Sequence, residues 1–444
     1  MARPLATLGA FAAGLRFEDL PRDVVDQACL VLLDTAAAIC AGAVQPEMRA
    51  LAAWQAAQGP GAALQALTLA SCGVVHELDE GFAPARGHPA IHTIPAALAE
   101  AAARKASGKQ LLAAIVAGYE VAARIGAAVK LRPGMHPHGT WGGLGAAAAV
   151  AHLRGCDAQA MTAALELAAC MPIATSYQAV RDGSPVRHAW AGLANFTGSM
   201  AAGLAAAPFP APATGAMATL SAIIGTECDA GLAVEALGSR WDILRGYFKV
   251  HACCRHGHAT LDALDVALAG TTPDPAQIIA VRVWTYADAV TAMTPTIPVA
   301  TILAAKFSIS FMVALRLLRG GTDPALFTPG IALDPALTAF AEKVHLSEDP
   351  ELTQRGRGQR GARVEIALAD GRVLAGAVAH SRGDPALPFA RADIVAKYRR
   401  LTAGTLGAAR AAALETLING LPGLEDCSPL LHALLPPAGA EASP

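Results

Sequence analysis

The feature that most constrains the fold is a series of apolar segments with helical periodicity, running from about residue 20 to 265. In each segment apolar residues recur at spacings of three and four, and glycine or proline stands at the joints. The clearest segments are 22–41, 90–106, 108–128 and 142–153, and a further helix includes 161–169. Each such helix carries an apolar stripe that must be buried. Residues 1–268 are therefore predicted to form the first part of a large all-helical domain.

The pattern changes near residue 270. Segment 278–286 is rich in β-branched and aromatic residues, and 362–368 and 373–378 alternate around the turn pair Asp370-Gly371. A helix is predicted between them, at about 300–318, and helical periodicity returns near residue 390. The predicted fold is mainly α: a large all-helical domain, a smaller α+β lid domain at 269–388, and a C-terminal helical segment at 389–444 that rejoins the first domain.

The apolar content requires that a membrane protein be considered. Hydrophobic residues make up 54% of the chain and charged residues 16%, but much of the apolar excess is alanine, which favours helix. The best candidate span, 111–129, carries Glu120 and Arg124 in its middle, so it is not expected to insert. The N-terminus lacks a signal-peptide pattern, and the nine cysteines suit reduced thiols. We expect a cytoplasmic protein without membrane contact.

The charge balance argues against nucleic acid as a partner. The formal net charge is -2 and no long basic run is present, so the electrostatic footprint of a nucleic-acid-binding protein is missing. Because charge is scarce, local gatherings of titratable residues carry more information than usual. Four such clusters stand out.

The first cluster holds His76, Asp79, Glu80, Arg86 and His88 in a predicted loop between two apolar helices. Two acids and two histidines this close could form an acid/base pair or a metal site. Helix capping and surface charge around a loop are the alternative.

The second cluster, 135–145, places His136 and His138 beside Pro137 and a series of glycines that open a helix. A helix N-terminus attracts anions, so a carboxylate could bind there next to an imidazole, with Thr140 close by. A tight helix entry packed through glycine would explain the same residues.

The third and fourth clusters are cationic. Arg187 precedes a helix of small residues and could bind a carboxylate with both arms of its guanidinium, or form an ordinary salt bridge. Segment 249–258 contains one lysine, one arginine, three histidines and two adjacent cysteines. Zinc sites have wider ligand spacings, so this composition better suits binding and protonating an anion. Together the clusters predict one anion-binding cleft at converging helix ends.

In order and spacing these motifs resemble the MmgE/PrpD family, which includes 2-methylcitrate dehydratase, cis-aconitate decarboxylase and iminodisuccinate epimerase. The resemblance spans nearly the whole chain. The motifs that carry it are Leu33-Asp34-Thr35, His76-Glu77-Leu78-Asp79, Gly87-His88-Pro89, the run from His136 to Gly142, Leu153-Arg154-Gly155, Phe248-Lys249, Cys253-Cys254-Arg255, the run from His258 to Asp262, and Ala305-Lys306-Phe307-Ser308.

The resemblance implies a homodimer with its site between the helical and lid domains, and no metal or organic cofactor. It places Asp79, His88, His136 and Lys249 at the family's catalytic positions. We further expect four residues to hold the substrate: Thr140, Arg187, Arg255 and His258.

Three departures from the family pattern bear on the substrate. The acidic run normally continues after Asp79, but here the next residues are Glu80-Gly81-Phe82-Ala83. The family's lysine and histidine in the third cluster are replaced by Arg187 and Trp190, and a tyrosine after the Lys-Phe-Ser motif is replaced by Phe311. These changes predict a less polar pocket and a substrate other than 2-methylcitrate or cis-aconitate.

The expected activity is that of a dehydratase-like lyase, acting on a small di- or tricarboxylate by proton abstraction beside a carboxylate. His136 is the preferred acid or base, His88 serves the opposite proton transfer, and Asp79 orients a neighbour. Arg187, Arg255 and Lys249 would stabilise the developing negative charge. Epimerisation and decarboxylation share the same intermediate and stay open, as does an inactive member that only binds.

Overall fold

A computed structural model describes residues 4–207, 209–210, 213–294, 297–356 and 358–434. The predicted C-terminal segment is therefore described only as far as residue 434.

Helices dominate the described chain. In the first half they are α1 Pro4–Gly14, α2 Arg22–Ala43, α3 Pro46–Ala57, α4 Ala62–Gly73, α5 Ile94–Arg104, α6 Gly108–Ala128, α7 Gly143–Leu153, α8 Ala158–Ala169, α9 Tyr177–Arg181, α10 Val186–Ala205 and α11 Ala213–Ala218. In the second half they are α12 Ala230–Val234, α13 His258–Leu268, α14 Ala287–Ala292, α15 Ile302–Lys306, α16 Ile309–Arg319, α17 Pro335–Ala341, α18 Pro350–Gln354, α19 Arg391–Leu406, α20 Ala408–Asn419 and α21 Ser428–Leu434.

Local sequence explains where several helices begin. The Ser107 hydroxyl accepts from the Gln110 backbone N–H, and the Gln110 side-chain oxygen accepts from the Ser107 backbone N–H, which forms a capping box at the start of α6. Asp157 caps α8 in the same position. The predicted helix at 90–106 begins later, at Ile94, with Pro95 in the first turn where its missing N–H does no harm.

The predicted single helix at 300–318 is two helices. The Ser308 hydroxyl accepts a hydrogen bond from the Phe311 backbone N–H at 3.2 Å, so α16 begins anew after α15 ends at Lys306. Apolar periodicity continues through this break, which is why the sequence pattern did not indicate it.

Two sheets are present among the described residues. Strand β1, Val129–Leu131, pairs antiparallel with β2, Gly225–Cys228, inside the region that was predicted to be all-helical. The prediction of a purely helical first domain is therefore wrong in this detail. Strands of three and four residues are too short to show a period-two pattern.

The second sheet has the strand order β4-β3-β5-β6 and contains the three predicted strands. The strands are β3 Ile278–Thr285, β4 Val344–Glu348, β5 Ala362–Leu368 and β6 Val373–Val378. Strand β4 runs parallel to β3, whereas β5 and β6 form the predicted hairpin through Gly371, whose φ is 88°. Helix α13 covers this sheet so closely that a Cβ on Gly376 would lie 2.2 Å from the Ala263 carbonyl oxygen.

Helices α2 and α6 are long and apolar enough to cross a membrane by length and composition alone. In the protein 78% and 94% of their most apolar windows are buried, which is the behaviour of core helices. Core helices pass the same length and composition test, so these two helices are weak evidence for membrane insertion.

Helix α19, near the end of the described chain, packs against α2, near its beginning. The Lys397 ammonium donates hydrogen bonds to Asp34 Oδ1 at 2.6 Å and to the Leu78 carbonyl at 2.7 Å. Asp34 is fully buried, and burial raises the pKa of its carboxyl against the opposing charge of Lys397. The C-terminal helices thus pack on the N-terminal ones, while the boundaries proposed at 268 and 388 stay a prediction.

This buried ion pair can be tested by removing one partner and then both. Lys397→Met is expected to lower the free energy of unfolding by about 3 kcal/mol, because it leaves Asp34 buried without its cation. The double variant Asp34→Leu with Lys397→Met should recover much of that loss. Urea unfolding of the three proteins measures the effect. Losses that simply add in the double variant would show that the two side chains do not interact.

Candidate active site

One cleft brings residues of all four sequence clusters together. Its cavity volume is about 40 Å³, well below the roughly 300–1,000 Å³ of small-molecule sites, so the cleft must widen before it can hold an organic acid. The lining residues are Glu77, Arg86, His88, His136, Pro137, Tyr177, Arg187, Tyr247, Cys254, Arg255, His256, Phe307 and Arg360. Most of these carry charged or polar groups, so the lining gives no support to the prediction of a less polar pocket.

The loop between α4 and α5 supplies His88. Its Nδ1 lies 2.7 Å from the Glu80 carbonyl oxygen and 3.0 Å from Asp79 Oδ2. Both neighbours can only accept a hydrogen bond, so Nδ1 must carry the proton. In the neutral ring Nε2 is then the unprotonated nitrogen. Two residues of this loop, Glu77 and Arg86, have left-handed backbone conformations (φ 55° and 51°) that are uncommon outside glycine.

Asp79 lies directly behind His88, with its side chain 1% exposed. Burial by itself would raise the pKa of this carboxyl, but His88, Lys249 and Arg187 lower it below its usual value. Lys249 contributes an ammonium 3.5 Å from Asp79 Oδ1 and 3.7 Å from Glu77 Oε2. Asp79 and Lys249 do not line the cleft; they form the layer beneath it. A carboxylate there fixes the His88 tautomer and stabilises the imidazolium when it forms.

His136 has the opposite arrangement. The backbone N–H of His138 donates to His136 Nδ1 at 3.1 Å, so in the neutral ring the proton is on Nε2. Burial, reinforced by the nearby Arg187 charge, lowers the pKa of His136 well below its ordinary value and keeps the ring neutral. Tyr177 and Trp190 flank the ring, with centroids 5.2 and 5.5 Å away. His136 can therefore offer a hydrogen-bond donor.

A chain of hydrogen bonds runs beneath the two histidines. Arg187 Nη2 donates to His138 Nε2 at 3.0 Å, and His138 Nδ1 lies 3.2 Å from His92 Nε2. His92 Nδ1 lies 2.8 Å from the His88 carbonyl oxygen, to which it must donate. The tautomer of each ring therefore follows from its neighbours. Burial lowers the pKa of both His92 and His138, to about 4 for His92.

The predicted arginines line the cleft, but other protein groups already pair with them. Arg187 forms an ion pair with Glu77, with an N–O distance of 2.5 Å, and donates to the Val74 carbonyl. Arg255 pairs with Asp384 at 2.5 Å. In both residues the buried Nε atom alone has no hydrogen-bond partner among the described residues.

Two predicted substrate-binding residues do not line the cleft. The Thr140 hydroxyl donates to the Pro137 carbonyl at 2.6 Å, and His258 accepts from Arg255 at 3.2 Å. The N-terminus of α7, next to Thr140, is also packed against the protein interior, because a Cβ on Gly142 would lie 2.3 Å from the His92 ring. Their predicted contact with substrate therefore finds no support in the geometry.

Arg360, Arg86 and His256 line the cleft but were not identified from sequence as site residues. Arg86 belongs to the first cluster and His256 to the fourth, but no role was predicted for either residue. Arg360 precedes β5 in a polar, glycine-rich stretch that resembles an ordinary loop. Only the packing of the four-stranded sheet brings it to the cleft.

The residues that depart from the family pattern lie in different positions relative to the cleft. The buried Glu80 carboxyl accepts from the Tyr119 hydroxyl at 2.5 Å and from the Ala90 N–H at 3.2 Å, and burial raises its pKa to about 8. Glu80 thus supports the loop rather than lining the cleft. Phe311 is buried in α16 and does not line the cleft either, whereas Trp190 contacts His136.

Asp79, His88 and His138 are close enough to hold a metal ion, since their ligand atoms lie within 4.8 Å of one another. Protein cations already compensate these ligand atoms. The charges of Lys249 and Arg187 stabilise the Asp79 carboxylate, and Arg187 donates a hydrogen bond to His138. A second group, His251, Asp262 and Asp265, is bonded to Arg382 and Arg316 in the same way. The donor sets therefore fit hydrogen bonding better than metal ligation.

Comparison with known proteins gives a consistent result. The model of the MmgE/PrpD N-terminal domain matches residues 6–219, and that of the MmgE/PrpD C-terminal domain matches residues 251–421. The chain is 26% identical to a cis-aconitate decarboxylase of Aspergillus terreus, over 96% of this chain and 94% of the relative. A cis-aconitate decarboxylase of Aspergillus terreus strain NIH 2624 / FGSC A1156 is 25% identical over the same shares. The two domain models together match most of the sequence, and the chain belongs to the MmgE/PrpD family.

Proposed function

We propose that this protein is a cofactor-independent, dehydratase-like lyase that acts on a small di- or tricarboxylic acid by moving a proton at the carbon beside a carboxylate. The observation that carries the proposal is the pair of cleft histidines with opposite tautomers. His88 presents an unprotonated Nε2, whereas His136 presents an Nε2–H. Environments that separate two titratable groups in this way assign one as base and the other as donor.

His88 is the proposed base. Its Nε2 takes the proton from the carbon, and the imidazolium that forms is stabilised by the Asp79 carboxylate behind it. The electron pair moves into the neighbouring carboxylate, which becomes enolate-like. In dehydration the adjacent C–O bond then breaks, and the leaving hydroxide takes the proton from the His88 imidazolium, so that water leaves and His88 returns to its neutral form.

His136 is the proposed donor rather than a second base. Its Nδ1 already accepts the His138 N–H, so Nε2 has no lone pair to receive a proton. A neutral imidazole N–H can stabilise an oxygen that gains negative charge. This refines the sequence-based hypothesis, in which His136 was the preferred acid or base and His88 its counterpart.

The relatives bear on the reaction type. Both are named cis-aconitate decarboxylase, so decarboxylation is the second candidate. In that reaction a C–C bond breaks, carbon dioxide leaves, and a protonated His88 would deliver the proton to carbon. Both reactions use the same proton position and the same enolate-like intermediate.

Product analysis in heavy water distinguishes the reaction classes. We expect the protein, given a panel of hydroxy and unsaturated di- and tricarboxylates, to incorporate deuterium beside a carboxylate while water is lost or added. Mass spectrometry and carbon dioxide detection provide the measurements, with His88→Gln as the inactive control. Carbon dioxide release would indicate the decarboxylase, and exchange alone an epimerase. Absence of exchange with every acid would contradict the proposal.

Matched substitutions can separate the roles of the two histidines. Glutamine keeps an N–H donor but cannot shuttle a proton, whereas phenylalanine keeps neither function. His136→Gln should reduce kcat by about 10-fold and His136→Phe by about 10²- to 10³-fold. His88→Gln and His88→Phe should both reduce kcat by about 10²- to 10⁴-fold. The assignment would be reversed if glutamine preserved activity at position 88 and not at position 136.

A further inference from the structure

The positive charge in the cleft is unevenly compensated. Arg187 and Arg255 have carboxylate partners within the protein, and the half-exposed Arg86 pairs with Asp288 at 3.2 Å. Arg360 also lines the cleft, is 8% exposed, and forms no ion pair within the part of the chain that is described. It is the one cleft guanidinium whose charge the protein leaves without a carboxylate in contact, as far as the described residues extend.

The surroundings of Arg360 do not supply that missing anion. Its neighbours include the phenols of Tyr247 and Tyr286, and the acid nearby is Asp384, which is already bonded to Arg255. Burial, together with the positive charges of Arg360, Arg86 and Arg255, lowers the pKa of His256 well below its ordinary value. Arg360 hydrogen-bonds Tyr247 and lies near its ring, but no carboxylate among the described residues contacts this buried cation, so this end of the cleft can accept an anion.

Tyr247 is a common neighbour of Arg360 and His88 in the cleft. The Arg360 Cζ atom lies 5.9 Å from the Tyr247 ring centre, and the His88 ring centre lies 6.4 Å from it. The ring packs against Gly81, where a Cβ would lie only 2.4 Å from its atoms. Gly81 therefore leaves room for the Tyr247 ring, which neighbours both His88 and Arg360.

We propose that Arg360 is the residue that binds the substrate carboxylate lying away from the reacting carbon. The inference deepens the proposed function: the reacting carbon lies at His88 and His136, and the remote carboxylate lies at Arg360. A guanidinium can bind a carboxylate through two parallel hydrogen bonds, which gives orientation as well as affinity. The substrate thus completes the charge balance that the protein leaves open.

Binding measurements test this without requiring turnover. Succinate and tricarballylate are probes with a remote carboxylate, and butyrate matches succinate in chain length but has one carboxylate. Arg360→Gln should weaken succinate and tricarballylate binding by about 10- to 100-fold and butyrate binding by less than about 3-fold. Isothermal titration calorimetry measures each dissociation constant.

Two further variants make the test specific. Arg363→Gln removes a positive charge from β5 nearby, where Arg363 lies over the Trp284 ring outside the cleft, and it should leave all three affinities unchanged. Arg360→Lys keeps the charge but not the two-armed geometry, so its losses should be intermediate. It also serves as the readout if Arg360→Gln does not fold.

The proposal is overturned if the wild-type protein binds neither succinate nor tricarballylate, or if Arg360→Gln weakens butyrate as much as succinate. It is also overturned if Arg363→Gln has the same effect as Arg360→Gln. A selective loss at Arg360 together with no deuterium exchange would support the carboxylate site while refuting the proposed chemistry. Exchange with unchanged dicarboxylate affinity in Arg360→Gln would do the reverse.

Discussion

The contact between His88 and the buried Asp79 is the interaction on which the site depends. A carboxylate inside a protein is stable only with compensating partners, and here Lys249 approaches one oxygen while His88 approaches the other. The same contact, with the Glu80 carbonyl, fixes the proton on His88 Nδ1. The same contacts therefore compensate the buried Asp79 charge and leave the unprotonated Nε2 of His88 facing the cleft.

Contacts with other helices hold the segment around Asp79 in place. Lys397, on a C-terminal helix, bonds to Asp34 on α2 and to the carbonyl of Leu78, the residue before Asp79. The hydrogen-bonded chain from Arg187 through His138 and His92 to the His88 carbonyl fixes the tautomers of the His138 and His92 rings. Most of the polar groups that the sequence concentrates in four clusters thus support one another, and only some of them reach the cleft.

The departures from the family pattern gain a physical reading from this geometry. The Glu80 carboxyl accepts a hydrogen bond from Tyr119 and stabilises its own loop. Gly81 leaves space for the Tyr247 ring. The guanidinium groups of Arg255 and Arg360 lie near that ring.

The sequence by itself determined the helical class, three strands of the four-stranded sheet and the residues of the Asp79–His88 pair, because periodicity and local motifs depend on residues close together in the chain. It could not indicate β1 and β2, which are too short for a pattern, or the break at Ser308. Which histidine nitrogen carries a proton, which arginines are already paired, and the arrival of Arg360 at the cleft depend on contacts between residues far apart in sequence. Only the tertiary structure decided them, since hydrogen bonding and charge compensation are properties of neighbours in space.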